Sequence, residues 1–412
     1  MRVVIFTQYY PPESVPIPRA VAQALASAGH RVRVVTGFPN YPEGELFPGY
    51  QQQWRKLEMD GPVEVLRVPL CVDHSQRPIR RMLNYISFAL SSATTRSFTR
   101  GADVIYVYAT QMTPALGPWI WRIFHGTPYV LHVQDVWPDS ILGSSMIRGA
   151  LAARLIDRLL RPWVSSVYKR ASAVIGIGPS MVETLVARGV PRSKSHLVYN
   201  WASENDQQVS DQEEHGKVDD RNSTRILYGG NIGDMQDLET MVEAAHRARN
   251  AGVTLIIVGD GVALPRVKAL AAELGAENVE FRGRVQLSAM GELYRQTDFA
   301  LVPLKDLPIF GGTVPSKFQA ALSYGVPLIT TVKGDVHDLV HELSVGLTAE
   351  PENVGAVEET FRQAAKLPLA ERIRMSHRAT AAYHNRFSQE AGTTALRHIL
   401  EAVSGLSPKD GT

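Results

Sequence analysis

The chain of 412 residues is too long for one ordinary core and predicts two domains, three at most. Hydrophobic residues at 44% against 20% charged exclude a disordered chain. A net charge of +2, with Lys and Arg spread along the sequence, lacks the concentrated basic surplus of a nucleic-acid binder. The single cysteine, Cys71, excludes a disulfide framework and a thiolate metal cluster, and points to a reducing cytoplasm.

The opening MRVVIF lacks the long apolar core and small-residue cleavage site of a signal peptide and predicts a first strand. PRAVAQALASAGH has the spacing of a helix that stops at Gly29, and RVRVVTG is the second strand of a β-α-β unit. VEVLRVP, DVIYVYA, PYVLHVQD and AVIGIG continue the rhythm as short β-branched runs, the pattern of a parallel sheet covered on both faces. No window is long and apolar enough to span a bilayer.

Two stretches, 77–98 and 148–170, mix arginines with large apolar residues. Each fits an interfacial helix on an anionic membrane leaflet or an amphipathic core helix with solvated arginines. A polar, acidic run follows Trp201 and predicts a linker over 202–224, between an N-terminal domain of 1–201 and a C-terminal one of 225–385. The β-α rhythm restarts with RILYGG, VTLIIVGDG, VEFRGRV, FALVPL and VPLITT, so the second half is a second doubly wound α/β domain. A helical segment over 386–412 ends the chain. Ligands of open parallel sheets sit beyond the carboxyl ends of the strands, so two such domains facing across a cleft would hold the site there.

Three junctions in the second half are glycine-rich: YGGNIG at 228–233, VGDG at 258–261 and the loop at 311–314. Glycines there either let backbone N–H groups approach a phosphate or simply make turns. Neither a P-loop nor a G-x-G-x-x-G after the first strand is present, which disfavours an ATPase or a dinucleotide enzyme. In VPSKFQAALSYG, Lys317 and the N–H groups around Gly312 to Ser316 suit an anion at a helix N-terminus.

QYYPPE, PNYP, HVQDVWPDS, LVYNW, YGGNIGDMQDLETMVEAA, IIVGDG, VEFRGRV and VPSKFQAALSYGVPLI occur in an order and spacing that resemble the retaining GT-B glycosyltransferases of family 4. The likeness is greatest to the bacterial surface-polysaccharide group that includes N-acetyl-L-fucosamine transferase-like proteins. The resemblance implies a GT-B fold of two Rossmann-like domains, with a nucleotide-sugar donor on the C-terminal domain and an acceptor on the N-terminal one. It implies no metal ion and no other cofactor, because protein cations and helix N-termini carry the diphosphate charge. The expected donor is a UDP-linked amino or deoxy sugar, and the expected acceptor a lipid-linked oligosaccharide at the cytoplasmic face of the membrane.

On this reading the donor residues are Gly230, Asn231, Gly233, Arg284, Gly312, Ser316, Lys317 and Gln319. Arg19 and Asn40 serve the acceptor, and Asp135, His132 and Lys317 the chemistry. Asp139 lies close to them in sequence. Asp135 would position or deprotonate an acceptor hydroxyl, although an N-cap accounts for it equally. The sequence also departs from the family: the two glutamates of its E-x7-E element are Gly312 and Ala320 here. A non-catalytic sugar-nucleotide or partner-binding protein, and an NDP-sugar epimerase, are the competing readings.

Overall fold

A computed structural model of the chain describes residues 1–73, 78–138, 150–201, 223–307, 310–312 and 314–406. They divide into two compact units, Met1–Asn200 with the segment from Gly392 onward, and Trp201–Ala391. Asp139 and most of the expected linker lie outside the described residues.

The first unit holds β1 (Arg2–Phe6), β2 (Arg31–Gly37), β3 (Lys56–Asp60), β4 (Val63–Val68), β5 (Val104–Ala109), β6 (Tyr129–Val133), β7 (Ala173–Gly176) and β8 (Ser195–Leu197). Their order is β3-β4-β2-β1-β5-β6-β7-β8, parallel throughout except for the antiparallel β3–β4 pair. Central strands such as VIYVYA are buried on every residue, as strands covered on both faces must be. β3 was not expected from its sequence, KLEMD, whose charged alternation marks a half-exposed edge strand.

Among the described residues the longer helices of this unit are α1 (Pro16–Ser27), α2 (Pro78–Ala93), α3 (Leu116–His125), α4 (Ala150–Arg170) and α5 (Pro179–Ala187). α1 begins on prolines, buries Ile17, Val21, Ala22 and Leu25, and is followed by Gly29 at φ +81. α4 buries Val164, Val167 and Tyr168 in the core, which makes it the amphipathic core helix of the two readings for that stretch.

The second unit alternates β9 (Thr224–Gly229), α6 (Leu238–Arg247), β10 (Val253–Val258), α7 (Leu264–Leu274), β11 (Val279–Gly283), α8 (Leu287–Arg295) and β12 (Phe299–Val302). It continues with α9 (Ser316–Ser323), β13 (Leu328–Thr330), α10 (Asp335–Leu343), β14 (Gly346–Thr348), α11 (Val354–Lys366) and α12 (Leu369–Ala382). Its sheet is wholly parallel in the order β11-β10-β9-β12-β13-β14. That is the doubly wound order with its switch point between β9 and β12, and the first unit switches likewise between β1 and β5. The last helix, α13 (Gln389–Val403), is tied to the first unit by Glu401 Oε1, 3.1 Å from His30 Nε2.

Candidate functional site

In the second unit the strand ends bring together residues that lie far apart in sequence. β9 runs straight into Gly230, and α9 starts at Ser316 after an extended Pro315, with no side chain capping it. Lys317, in the first turn of α9, lies across Gly230: a Cβ on that glycine would stand 2.5 Å from Lys317 Cε and 3.0 Å from Nζ. Only glycine leaves room for the lysine there. The ammonium sits 5.2 Å from the ring centroid of Tyr228, and among the described residues no carboxylate pairs with it. Burial pushes its pKa below that of an ordinary lysine. A half-buried cation with no paired acid has the charge and the room in its shell that an anion would require.

The glycines of the adjoining loops have a different task from the one expected. Gly230 N–H donates to Val258 O (2.9 Å), Ile232 N–H to Asp260 O (2.9 Å) and Gly233 N–H to Gln236 Oε1 (2.9 Å). These donors are spent within the protein, so the proposed cradle of amides at Gly230 and Gly233 is corrected to a packing role. A Cβ on Gly259 would fall 1.8 Å from Gly230 O, and one on Gly261 would fall 2.3 Å from Ile232 O. YGGNIG and VGDG therefore interlock backbone to backbone. The third glycine loop packs in the same way, since Gly334 meets Gly311 O and Asp335 N–H donates to that oxygen at 2.8 Å.

Of the other donor candidates, Asn231 and Ser316 are exposed and Gly312 is half-buried. Arg284 stands at the end of β11, its side chain 80% exposed, with Nε 3.2 Å from Asp260 Oδ2. Such an exposed pair is weak and can exchange its partner for a phosphate. Gln319 is turned inward instead, only 4% exposed. A cavity of about 460 Å3 opens at the ends of β13 and β14, lined by Thr331, Lys333, His337, Thr348 and Glu350 among others. Its cation, Lys333, is held between Asp306 (2.7 Å) and Glu350 (2.6 Å), whereas Lys317 has no such pairing among the described residues.

In the first unit Asp135 follows β6 and keeps solvent access. The surrounding protein pushes its carboxyl pKa upward, with Arg81 pulling the other way. Beside it, Gln134 Oε1 accepts Asn200 Nδ2 at 2.7 Å, which ties QDVWP to YNW. Three further candidates are redirected. His132 is fully buried, its Nδ1 2.7 Å from Tyr106 Oη, and desolvation pushes its pKa down to about 3, which disfavours its charged form. Arg19 is committed to Asp60 through two bonds of 3.0 and 2.9 Å. Asn40, 1% exposed, donates to Phe38 O (2.9 Å) and accepts from Asn84 Nδ2 (3.4 Å), so it braces its loop. Sequence reasoning missed Glu13 and Arg67, buried charges under the loops after β1 and β2. The one signal for the first was an acid directly after the paired prolines of QYYPPE.

Two sheets of this order define a protein of two doubly wound, Rossmann-like domains. Residues 16–201 match the glycosyl transferase 4-like domain and residues 223–366 the glycosyl transferases group 1 family. The chain therefore belongs to the GT-B glycosyltransferases of family-4-like type. WcaI of Escherichia coli K12, named for a glycosyl transferase of colanic acid biosynthesis, is 29% identical over 384 residues, 89% of this chain and 93% of that protein. The sucrose-phosphate synthase of Thermosynechococcus elongatus superposes with a TM-score of 0.66 at 15% identity, over 98% of this chain and 100% of that one. Anabaena HepE in complex with UDP and glucose gives 0.59 at 14% identity over the same shares. At these identities the structural likenesses show the fold alone.

Proposed function

We propose that the chain transfers a sugar from a UDP-linked amino or deoxy sugar to a lipid-linked oligosaccharide during surface-polysaccharide assembly, with retained configuration and without a metal ion. The observation that carries this reading is Lys317, a half-buried ammonium with no acid beside it among the described residues, at the head of α9. As the nucleotide leaves, negative charge grows on a phosphate oxygen, and a fixed cation with helix N–H donors lowers that barrier. Asp135, solvent-accessible after β6 with its pKa pushed upward by the surrounding protein, would receive the acceptor's proton. The naming of WcaI for colanic acid synthesis and the UDP bound by HepE support the polysaccharide and the uridine donor.

The test is transfer of label from a panel of UDP-sugars to bacterial polyprenyl-linked glycolipids, with chelator present. Labelled glycolipid is expected, and Asp135→Asn should lower turnover about 10²-fold. Binding of UDP without transfer from any donor would favour the second reading, a non-catalytic binder. Its support is the absence of carboxylates at Gly312 and Ala320.

A lipid acceptor requires contact with a membrane surface, and α2 offers a face for it. Leu83, Ile86 and Leu90 are 50%, 43% and 59% exposed at helical spacing, with Arg80 one turn before them. α3, which packs on α2, ends in Ile123 and Phe124, the latter 75% exposed. No described helix is long and apolar enough to cross a membrane. Apolar residues rimmed by arginines suit an anionic leaflet. The protein should float with phosphatidylglycerol vesicles, and Leu83→Glu with Leu90→Glu should weaken that binding about tenfold or more. Equal flotation of the double variant would remove α2 from the membrane contact.

A further inference from the structure

In the first unit the loops after β1 and β2 are joined by two buried side chains of opposite charge. Glu13, 4% exposed, accepts three main-chain N–H groups: Tyr10 at 3.1 Å on one oxygen, Asn40 at 2.9 Å and Tyr41 at 3.0 Å on the other. Arg67 on β4, 2% exposed, serves the opposite polarity. It donates to the carbonyls of Pro11 and Gly37, the second at 3.1 Å, while its Nε lies 2.6 Å from Glu58 Oε2. One acid collects N–H groups and one base serves carbonyls of the same two loops.

A chain of buried carboxamides continues the tie. Gln8 Nε2 donates to Asn84 Oδ1 (2.5 Å), Gln111 Nε2 donates to Gln8 Oε1, and Asn84 Nδ2 reaches Asn40 Oδ1 and Cys71 O (2.7 Å). The loops so held carry Tyr9 and Tyr41, whose rings lie 5.2 Å apart beside the β1–β5 switch point.

We propose that Glu13 is a positioning residue for the acceptor: its side chain fixes the β1 and β2 loops so that Tyr41, half-buried against the buried ring of Tyr9, stands ready for the incoming sugar. The proposal rests on the reading that the first unit binds the acceptor. Only the ionised side chain accepts all three N–H groups freely. A carboxyl or a carboxamide presents hydrogen where a donor already points. Burial pushes Glu13 up to about 7, against the pull of the three N–H groups and of Arg67. The other charged or titratable groups around it are Tyr9, Glu58 behind Arg67, and Tyr10, whose hydroxyl donates to Asp60 beside Arg19. The buried carboxyl holds its proton more firmly than an opened, solvated one, so opening of the tie becomes easier as pH rises through neutrality and harder as it falls.

Hydrogen exchange on the full chain at pH 6 and pH 8, corrected for intrinsic rates, decides it. In the wild type the Tyr10, Asn40 and Tyr41 amides should lose protection between pH 6 and pH 8. In Glu13→Gln all three should lose the pH dependence, and the Tyr10 amide, then facing the carboxamide NH2, should lose about tenfold. Glu13→Asp, which keeps the charge, should regain part of it.

With polyprenyl-diphosphate-linked N-acetylglucosamine in vesicles as acceptor probe, Glu13→Gln should raise the acceptor KM about tenfold and leave the donor KM unchanged. Unaltered protection in Glu13→Gln, or an unaltered acceptor KM, overturns the proposal. If Glu13→Gln does not fold, a wild-type profile flat between pH 6 and 8 at these three amides overturns it. No transfer by the wild type from any UDP-sugar would sink the functional reading, while the exchange pattern still decides the tie.

Discussion

Lys317→Ala is expected to weaken UDP binding by about two orders of magnitude, as read by calorimetry in the absence of metal. Removing one partner from a desolvated charge pair costs about 2–5 kcal/mol, and about 2.7 kcal/mol is a hundredfold. The size follows from the setting: Lys317 is half-buried, lies against Gly230 and Tyr228, and has no carboxylate beside it among the described residues. An exposed lysine would give a small effect, since surface pairs are worth about 0–1 kcal/mol. Arg284→Ala, at an 80% exposed side chain, supplies that comparison and should cost less than tenfold.

The pH dependence has a fixed sign. Burial lowers the pKa of Lys317, so the folded chain sheds this proton more readily than the unfolded one. UDP affinity should fall on the alkaline side sooner than for an ordinary lysine, and Lys317→Ala should remove that limb. An unchanged affinity in Lys317→Ala, with a large loss in Arg284→Ala, would move the diphosphate to the end of β11.

The contrast between these two cations also marks what a sequence discloses. Both domains were visible in RVVIF, VIYVYA and VTLIIV, because buried parallel strands are continuous β-branched runs whatever their neighbours. KLEMD was not, since an edge strand is defined by pairing with β4 and carries no run of its own. Lys317 was legible because a cation at the head of a helix is a local pattern. The inward partners of His132, Arg19 and Asn40 were not legible, because polarity near a strand end does not say which way a side chain turns. Tyr106, Asp60 and Asn84 decide that from elsewhere in the chain. Glu13 and Arg67 were hidden because they bond main-chain groups 27 to 56 residues away, and backbone groups leave no signature in the sequence.

Gly259→Ala separates the two meanings of the glycine loops and should have the largest effect on stability. A phosphate cradle would survive the added methyl as a fold and lose only ligand. Interlocked backbones would lose the fold itself. The methyl would lie 1.8 Å from Gly230 O, at a φ of +136 that L side chains rarely adopt, and neither strand end is free to retreat. Gly259 N–H holds Gly283 O at 2.8 Å, and Gly230 N–H holds Val258 O at 2.9 Å.

Backbone strain of about 1–3 kcal/mol adds to overpacking of about 1–3 kcal/mol, so a loss of about 4 kcal/mol is expected. In a unit of this size that lowers the melting transition by about 10 °C. Gly275→Ala is the control: its φ of +61 is also positive, but nothing lies within 4 Å of the new methyl, so only about 1–2 kcal/mol of strain applies. Calorimetric melting of both variants should show the second unit's transition displaced far more by Gly259→Ala. If Gly259→Ala instead melts like Gly275→Ala and has lost UDP binding alone, the loop amides face the ligand after all, and the anion site extends from Lys317 into YGGNIG.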